Sequence, residues 1–158
     1  MLTVETQSTV ESPEFVKLDI QSAAQLAYAK ANIQSMGSID CVIRLVDEPE
    51  GRALNKQFRQ KDKATNVLSF AYEATELPLE VEEERGYLGD IVICDPVIRQ
   101  EAEQQDKTYV AHLTHMIVHG ILHLCGYDHE IVEDAEKMEQ LEVKILAKLN
   151  IENPYLRA

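Results

Sequence analysis

Apolar positions along the chain fall into two rhythms. Cys41–Val46 (CVIRLV), Asn66–Tyr72 (NVLSFAY) and Tyr87–Cys94 (YLGDIVIC) are short runs rich in β-branched residues and predict buried strands. Phe15–Ile20 alternates in part and reads as a further strand, behind a loose acidic lead over residues 1–13. Helical spacing appears at Ser22–Ser35, where Ala23, Leu26, Ala27 and Ala31 share a face before Gly37. Asp47-Glu48-Pro49 and Asp95-Pro96 each combine a capping acid with an early proline and open helices, the first running to about Phe58. Two long helices follow at about 107–125 and about 130–149, the second with Ile131, Ala135, Met138, Leu141, Ile145 and Leu149 on one stripe. Residues 73–85, acidic and interrupted by Pro78, read as a surface loop. No repeat or boundary divides the 158 residues, which suits a single domain. The class is α+β: a small sheet packed with five or six helices.

Composition narrows the classes. With 45% hydrophobic and 27% charged residues the chain is globular, not disordered or fibrous. Its 28 acids against 15 bases give a net charge of −13, which taken whole argues against membranes, DNA and RNA alike. The opening MLTVETQSTVESPE has no apolar core and does not read as a signal peptide. Cys41, Cys94 and Cys125 form no CxxC pair, so a reducing cytoplasm is expected. Thr108–Tyr127 lacks Asp, Glu, Lys and Arg over twenty residues, a membrane-spanning length, but its four histidines favour a buried central helix.

The histidines carry the chemistry. His112, His115, His119 and His123 fall within about 80° of one another on a helix. His119 and His123, at i and i+4, are spaced to grip one ion from successive turns. Gly126 suits a left-handed helix stop, after which His129 can return to the same point, giving HxxxHxxGxxH. Three neutral imidazoles suit Zn²⁺, leave a position for water and can lower the pKa of that water to roughly 7. The competing reading is buried polar packing, and it is the favoured one for His112 and His115, which have no third ligand nearby. Cys125 reads as a small buried hydrophobe. Asp128, beside His129, is expected to orient a histidine more than to move a proton. The skeleton matches the metzincin protease pattern except that Gly120 replaces the glutamate base, which puts peptide hydrolysis in doubt.

Charge distribution reopens RNA as a partner. Arg52–Thr65 contains Arg52, Lys56, Arg59, Lys61 and Lys63 against Asp62, a net of +4 that leaves −17 on the other 144 residues. The cluster suits a solvated helix face or a phosphate-binding rim. Arg59, just ahead of a strand, is the residue best suited to clamp a phosphate and stabilise developing charge.

These residues resemble the YbeY-type endoribonucleases, bacterial factors linked to ribosomal RNA maturation. The signature HGxLHLxGYDH lies at 119–129, a second block runs from Arg59 through Lys61, Asp62, Lys63, Thr65 and Asn66 to Phe70, and a third is Leu88–Cys94. Asn153-Pro154-Tyr155 resembles the family's ending, and Ala64 stands where a proline is common. The resemblance implies a four-stranded mixed sheet, one Zn²⁺ held by His119, His123 and His129, and an important Arg59. It implies metal-dependent cleavage of single-stranded RNA at the 3′ end of 16S rRNA and in ribosome quality control; the acidic remainder of the chain suits docking on the ribosome or its basic proteins. Two other readings stand beside it: a metal-dependent, protease-like hydrolase, and a non-catalytic, zinc-stabilised ribosome-assembly factor.

Overall fold

The computed structural model describes residues 1–31, 38–72, 85–127 and 131–156. The elements run β1 (Leu2–Ser8), α1 (Pro13–Lys17), α2 (Ile20–Lys30), β2 (Ser38–Val46), α3 (Glu48–Arg59), β3 (Val67–Ala71), β4 (Arg85–Cys94), α4 (Asp95–Gln104), α5 (Tyr109–Leu124) and α6 (Val132–Lys148). The strands form one sheet in the order β1-β2-β4-β3. β1, β2 and β4 are parallel, and β3 returns antiparallel at the edge beside β4. This is the expected α+β fold, a four-stranded mixed sheet with six helices among the described residues.

β4 shows how the sheet sorts its two faces. Side chains alternate along a strand. Ile91 and Ile93 are fully buried in the main core with Ile117 and Ile121 of α5. Val92 and Cys94 belong to a smaller cluster with Val46 and Leu68, against which Leu54 of α3 packs. So α5 covers one face and α3 the other. Two glycines set how closely α5 lies. A Cβ on Gly120 would stand 2.9 Å from Ile91 Cδ1 and 3.0 Å from its Cγ2. Gly89 has φ +147°, and a Cβ there would collide with the Phe70 carbonyl oxygen and stand 2.9 Å from Leu124. That conformation and that space admit only glycine.

Two expectations are corrected at the N-terminus. Residues 1–13 are not a loose lead: Leu2–Ser8 pairs in register with Ile39–Leu45. The strand is polar because it is the sheet edge, and α2 caps it. Gln25 Oε1 accepts from Leu2 N (2.6 Å), and Gln21 bonds both Val4 N (2.9 Å) and Leu2 O (2.6 Å). Nor is Phe15–Ile20 a strand. Ser12 caps the N-terminus of α1, accepting from Phe15 N at 3.2 Å, and Pro13 fits its first turn. Asp19 then caps α2. The other strands and helices stand close to where the sequence placed them, except that Asp95 is the first residue of α4 and not its cap: Cys94 holds the cap position, with no side-chain cap bond. The acidic loop at 73–84 and the helix stop at Gly37 lie outside the described residues. No helix of the described residues is long and apolar enough to cross a membrane.

Candidate active site

α5 is built as a two-sided helix. Thr108 caps it, accepting from Ala111 N at 3.1 Å. Leu113, Ile117 and Ile121 are fully buried on one side. The other side carries the four histidines, and each has an acceptor. His112 Nε2 bonds Glu101 of α4 at 2.9 Å. His115 Nε2 and His119 Nδ1 bond the two oxygens of one carboxylate, Glu142 of α6, at 2.5 and 2.8 Å. His123 Nδ1 bonds the Tyr127 carbonyl at 2.8 Å.

The last contact follows from the helix stop. Gly126, at φ +101°, takes the left-handed conformation expected of it. Tyr127 N bonds Leu122 O at 3.1 Å and Gly126 N bonds His123 O at 3.0 Å, the paired bonds of a Schellman cap. The turn thereby brings the Tyr127 carbonyl to His123 Nδ1.

A carboxylate and a carbonyl can only accept. In the neutral rings, therefore, the protons of His119 and His123 reside on Nδ1, and Nε2 is the lone-pair nitrogen of each. The rings lie 5.8 Å apart between centroids. This donor chemistry fits a divalent ion of intermediate softness. Among the described residues no group of three or more His, Cys, Asp or Glu is gathered to hold a metal. His129 and Asp128 lie outside those residues. Cys125 is half-buried, and burial pushes its thiol up to about 12, so it stays protonated.

Glu142 is the residue that sequence reasoning misses. Its side chain is 1% exposed. Burial by itself would raise its carboxyl, but hydrogen bonds from His115 and His119 outweigh that and hold it at about 2. Tyr155 adds a third donor, its hydroxyl bonding Glu142 Oε2. The Tyr155 ring stands edge-on to His115 at 5.5 Å. Glu101 plays a looser counterpart, taking Asn66 Nδ2 at 3.2 Å as well as His112. The sequence holds one slight signal for Glu142: it lies four residues after Met138 and three before Ile145, inside the apolar stripe. The buried set on α6 is Met138, Glu142, Ile145 and Leu146, turned from the expected stripe, and Ile131 is 58% exposed.

The basic residues lie elsewhere. Arg52 is tied to Asp62 through Nε (2.7 Å) and Nη2 (3.1 Å). Arg59, the last residue of α3, bonds the Ser69 carbonyl on edge strand β3 at 2.9 Å and lies 5.2 Å over the Phe70 ring. Ser69 pairs with Ile91, the residue on which Gly120 of α5 rests. Lys61 and Lys63 are exposed in the following loop, which Asn55 shapes by donating to Lys63 O at 2.7 Å. His119 and His123 thus stand together on α5, while Arg59 lies at edge strand β3 and Lys61 and Lys63 in the loop that leads to it.

The model of the family described as "Endoribonuclease YbeY" matches residues 3–150. The chain belongs to that family. Among its relatives, proteins named endoribonuclease YbeY from Alteromonas mediterranea and Nitrosomonas eutropha are 46% and 55% identical over 155 and 117 residues. These matches cover 96% and 74% of this chain, and 95% and 77% of the relatives. One from Acinetobacter baumannii is 46% identical over 98% of both chains. A Thermotoga maritima protein of known solution structure shares the fold, with a TM-score of 0.57 at 22% identity over 98% of this chain and all of its own.

Proposed function

We propose that this chain is a single-strand-specific, metal-dependent endoribonuclease that acts on ribosomal RNA precursors in the cytoplasm, at the 3′ end of 16S rRNA and in ribosome quality control. The ion is one Zn²⁺, held by Nε2 of His119 and His123 together with His129. The observation that carries the reading is that His119 and His123 each face an acceptor through Nδ1, which in the neutral rings makes Nε2 the lone-pair nitrogen of both. The relatives' shared name supplies the reaction class.

When bound, the ion supplies Lewis acidity at the scissile phosphate. The protein's own groups do the rest. Arg59, at edge strand β3, which α5 also contacts, binds a phosphate oxygen and steadies the charge that grows there. Lys61 and Lys63 hold neighbouring phosphates without reading sequence. Asp128 orients a ligand histidine. The acidic remainder of the surface weakens non-specific RNA binding and favours docking on basic ribosomal proteins. The unpaired Cys41, Cys94 and Cys125 accord with a reducing compartment.

The protease alternative finds no support at Gly120. A side chain there is directed at Ile91, so even a glutamate at this position would meet the sheet and not a substrate.

The test is cleavage of an rRNA precursor and of a protein substrate by metal-quantified wild type, His119→Ala and Arg59→Glu. RNA cleavage lost in both variants is the expected result. Undiminished RNA cleavage by metal-free His119→Ala overturns the proposal. Peptide cleavage by wild type would restore the protease reading, and RNA or ribosome binding without cleavage would favour the assembly-factor reading.

A further inference from the structure

Glu142 poses a question the proposed reaction does not answer. A carboxylate 1% exposed is costly unless its lone pairs are used. Here three donors converge on it: His119 Nδ1 on one oxygen, His115 Nε2 and the Tyr155 hydroxyl on the other. With its side chain 1% exposed and three donors already on it, it is not open to a substrate water, so it does not replace the glutamate missing at position 120. Its reach is instead toward His119.

We propose that Glu142, itself clamped by Tyr155 and His115, is a positioning residue that fixes the tautomer and ring plane of His119. This rests on the reading of His119 as a metal ligand. An imidazole that loses its acceptor can carry its proton on either nitrogen and rotate about χ2, so a ligand nitrogen must be recovered each time the ion binds. With Nδ1–H held on Oε1, the neutral ring carries its lone pair on Nε2 and its plane is set before any ion arrives. His123 achieves the same end through a backbone carbonyl, which no side-chain substitution can remove. Of the two proposed ligand histidines among the described residues, His119 is the one whose preorganisation depends on a side chain. Tyr155 matters because it restrains the carboxylate. The segment that delivers it is pinned by Lys107, whose Nζ bonds Pro154 O at 2.9 Å. The turn that follows α6 thus acts on the ion site through one hydroxyl and one carboxylate.

The experiment uses the full-length protein stripped of metal, with two readouts. Co²⁺ is titrated against a competing chelator and followed by its visible absorption, and the His119 ring nitrogens are assigned by ¹⁵N NMR in the metal-free state. Wild type is expected to bind Co²⁺ with His119 in the Nδ1–H form. Glu142→Gln is expected to bind about 10–100-fold more weakly and to show His119 moving toward the Nε2–H form. Tyr155→Phe, at a half-exposed position where folding is not at risk, is expected to lose a few-fold in affinity, and to lose nothing further in the Glu142→Gln background. Wild-type affinity and an unchanged His119 tautomer in Glu142→Gln overturn the inference while leaving His119 a ligand. Tyr155→Phe and Glu142→Gln effects that simply multiply overturn the clamp. Wild type that binds no Co²⁺ overturns the underlying reading, and the inference with it.

Discussion

The histidine face of α5 and the basic edge around Arg59 are built by opposite means. Along α5 the four histidines are held by three acceptors from outside the helix: Glu101 of α4, Glu142 of α6, which takes two of them, and the Tyr127 carbonyl beyond the helix stop. The rings are largely buried and their protons assigned. Around Arg59 the side chains are exposed, and the guanidinium rests on one backbone carbonyl and one aromatic ring. An ion site needs fixed lone pairs in one geometry, which burial and buried carboxylates provide. A polyanion that varies in sequence and shape needs accessible charge with latitude to move. The two regions stand on different elements, the histidines on α5 and Arg59 at the end of α3 against edge strand β3, and they are joined through the β3–β4 pairing.

The largest expected effect breaks the rigid side. His119→Ala should lose its bound metal and slow RNA cleavage by at least about 10²–10³-fold, checked by metal analysis and single-turnover cleavage. Arg59→Glu should slow cleavage by about 10²–10³-fold while metal content stays at the wild-type level, which separates the two regions directly. Gly120→Ala tests the seat of α5. Overpacking against Ile91 costs about 1–3 kcal/mol and helix propensity returns up to about 1 kcal/mol, so thermal unfolding should show a net loss of about 1–2 kcal/mol.

A smaller effect should appear in pH dependence. Burial lowers His112 below the usual imidazole range, against the opposing pull of Glu101. The unfolded chain then takes up this proton first as pH falls below about 6.5, so stability declines with falling pH in that window. His112→Gln should flatten the decline by at most about 1.4 kcal/mol per pH unit, read from melting curves between pH 7 and 5. The smallest effect belongs to the flexible side. Lys61→Ala and Lys63→Ala should each lower the salt dependence of RNA binding by about one unit of slope and leave metal binding unchanged.

What the sequence makes legible follows from the range of each interaction. His119, His123 and the Gly126 stop are local: their spacing and the left-handed turn are written within eight residues, and the structure places the histidines and the cap together. The cap at Asp47 and the strand cores 41–46 and 87–94 are local as well. Glu142 and Glu101 escape notice because their partners lie 27 or 23 and 11 residues away in sequence, and a glutamate on a helix ordinarily faces water. β1 escapes because an edge strand needs little apolar surface when glutamines from α2 satisfy its backbone. Phe15–Ile20 misleads because its partial alternation competes with the Ser12-Pro13 start signal, and the start signal wins.

The central claim is that the histidine face of α5 holds the ion on which RNA cleavage depends. It is tested most directly by stripping the protein of metal, restoring Zn²⁺ in steps, and measuring cleavage of a single-stranded RNA at each occupancy. The account predicts no cleavage by the stripped protein and a rate that rises with occupancy to a plateau at about one ion per chain. Cleavage by the stripped protein at the full rate, or an identical recovery curve for His119→Ala, would contradict it.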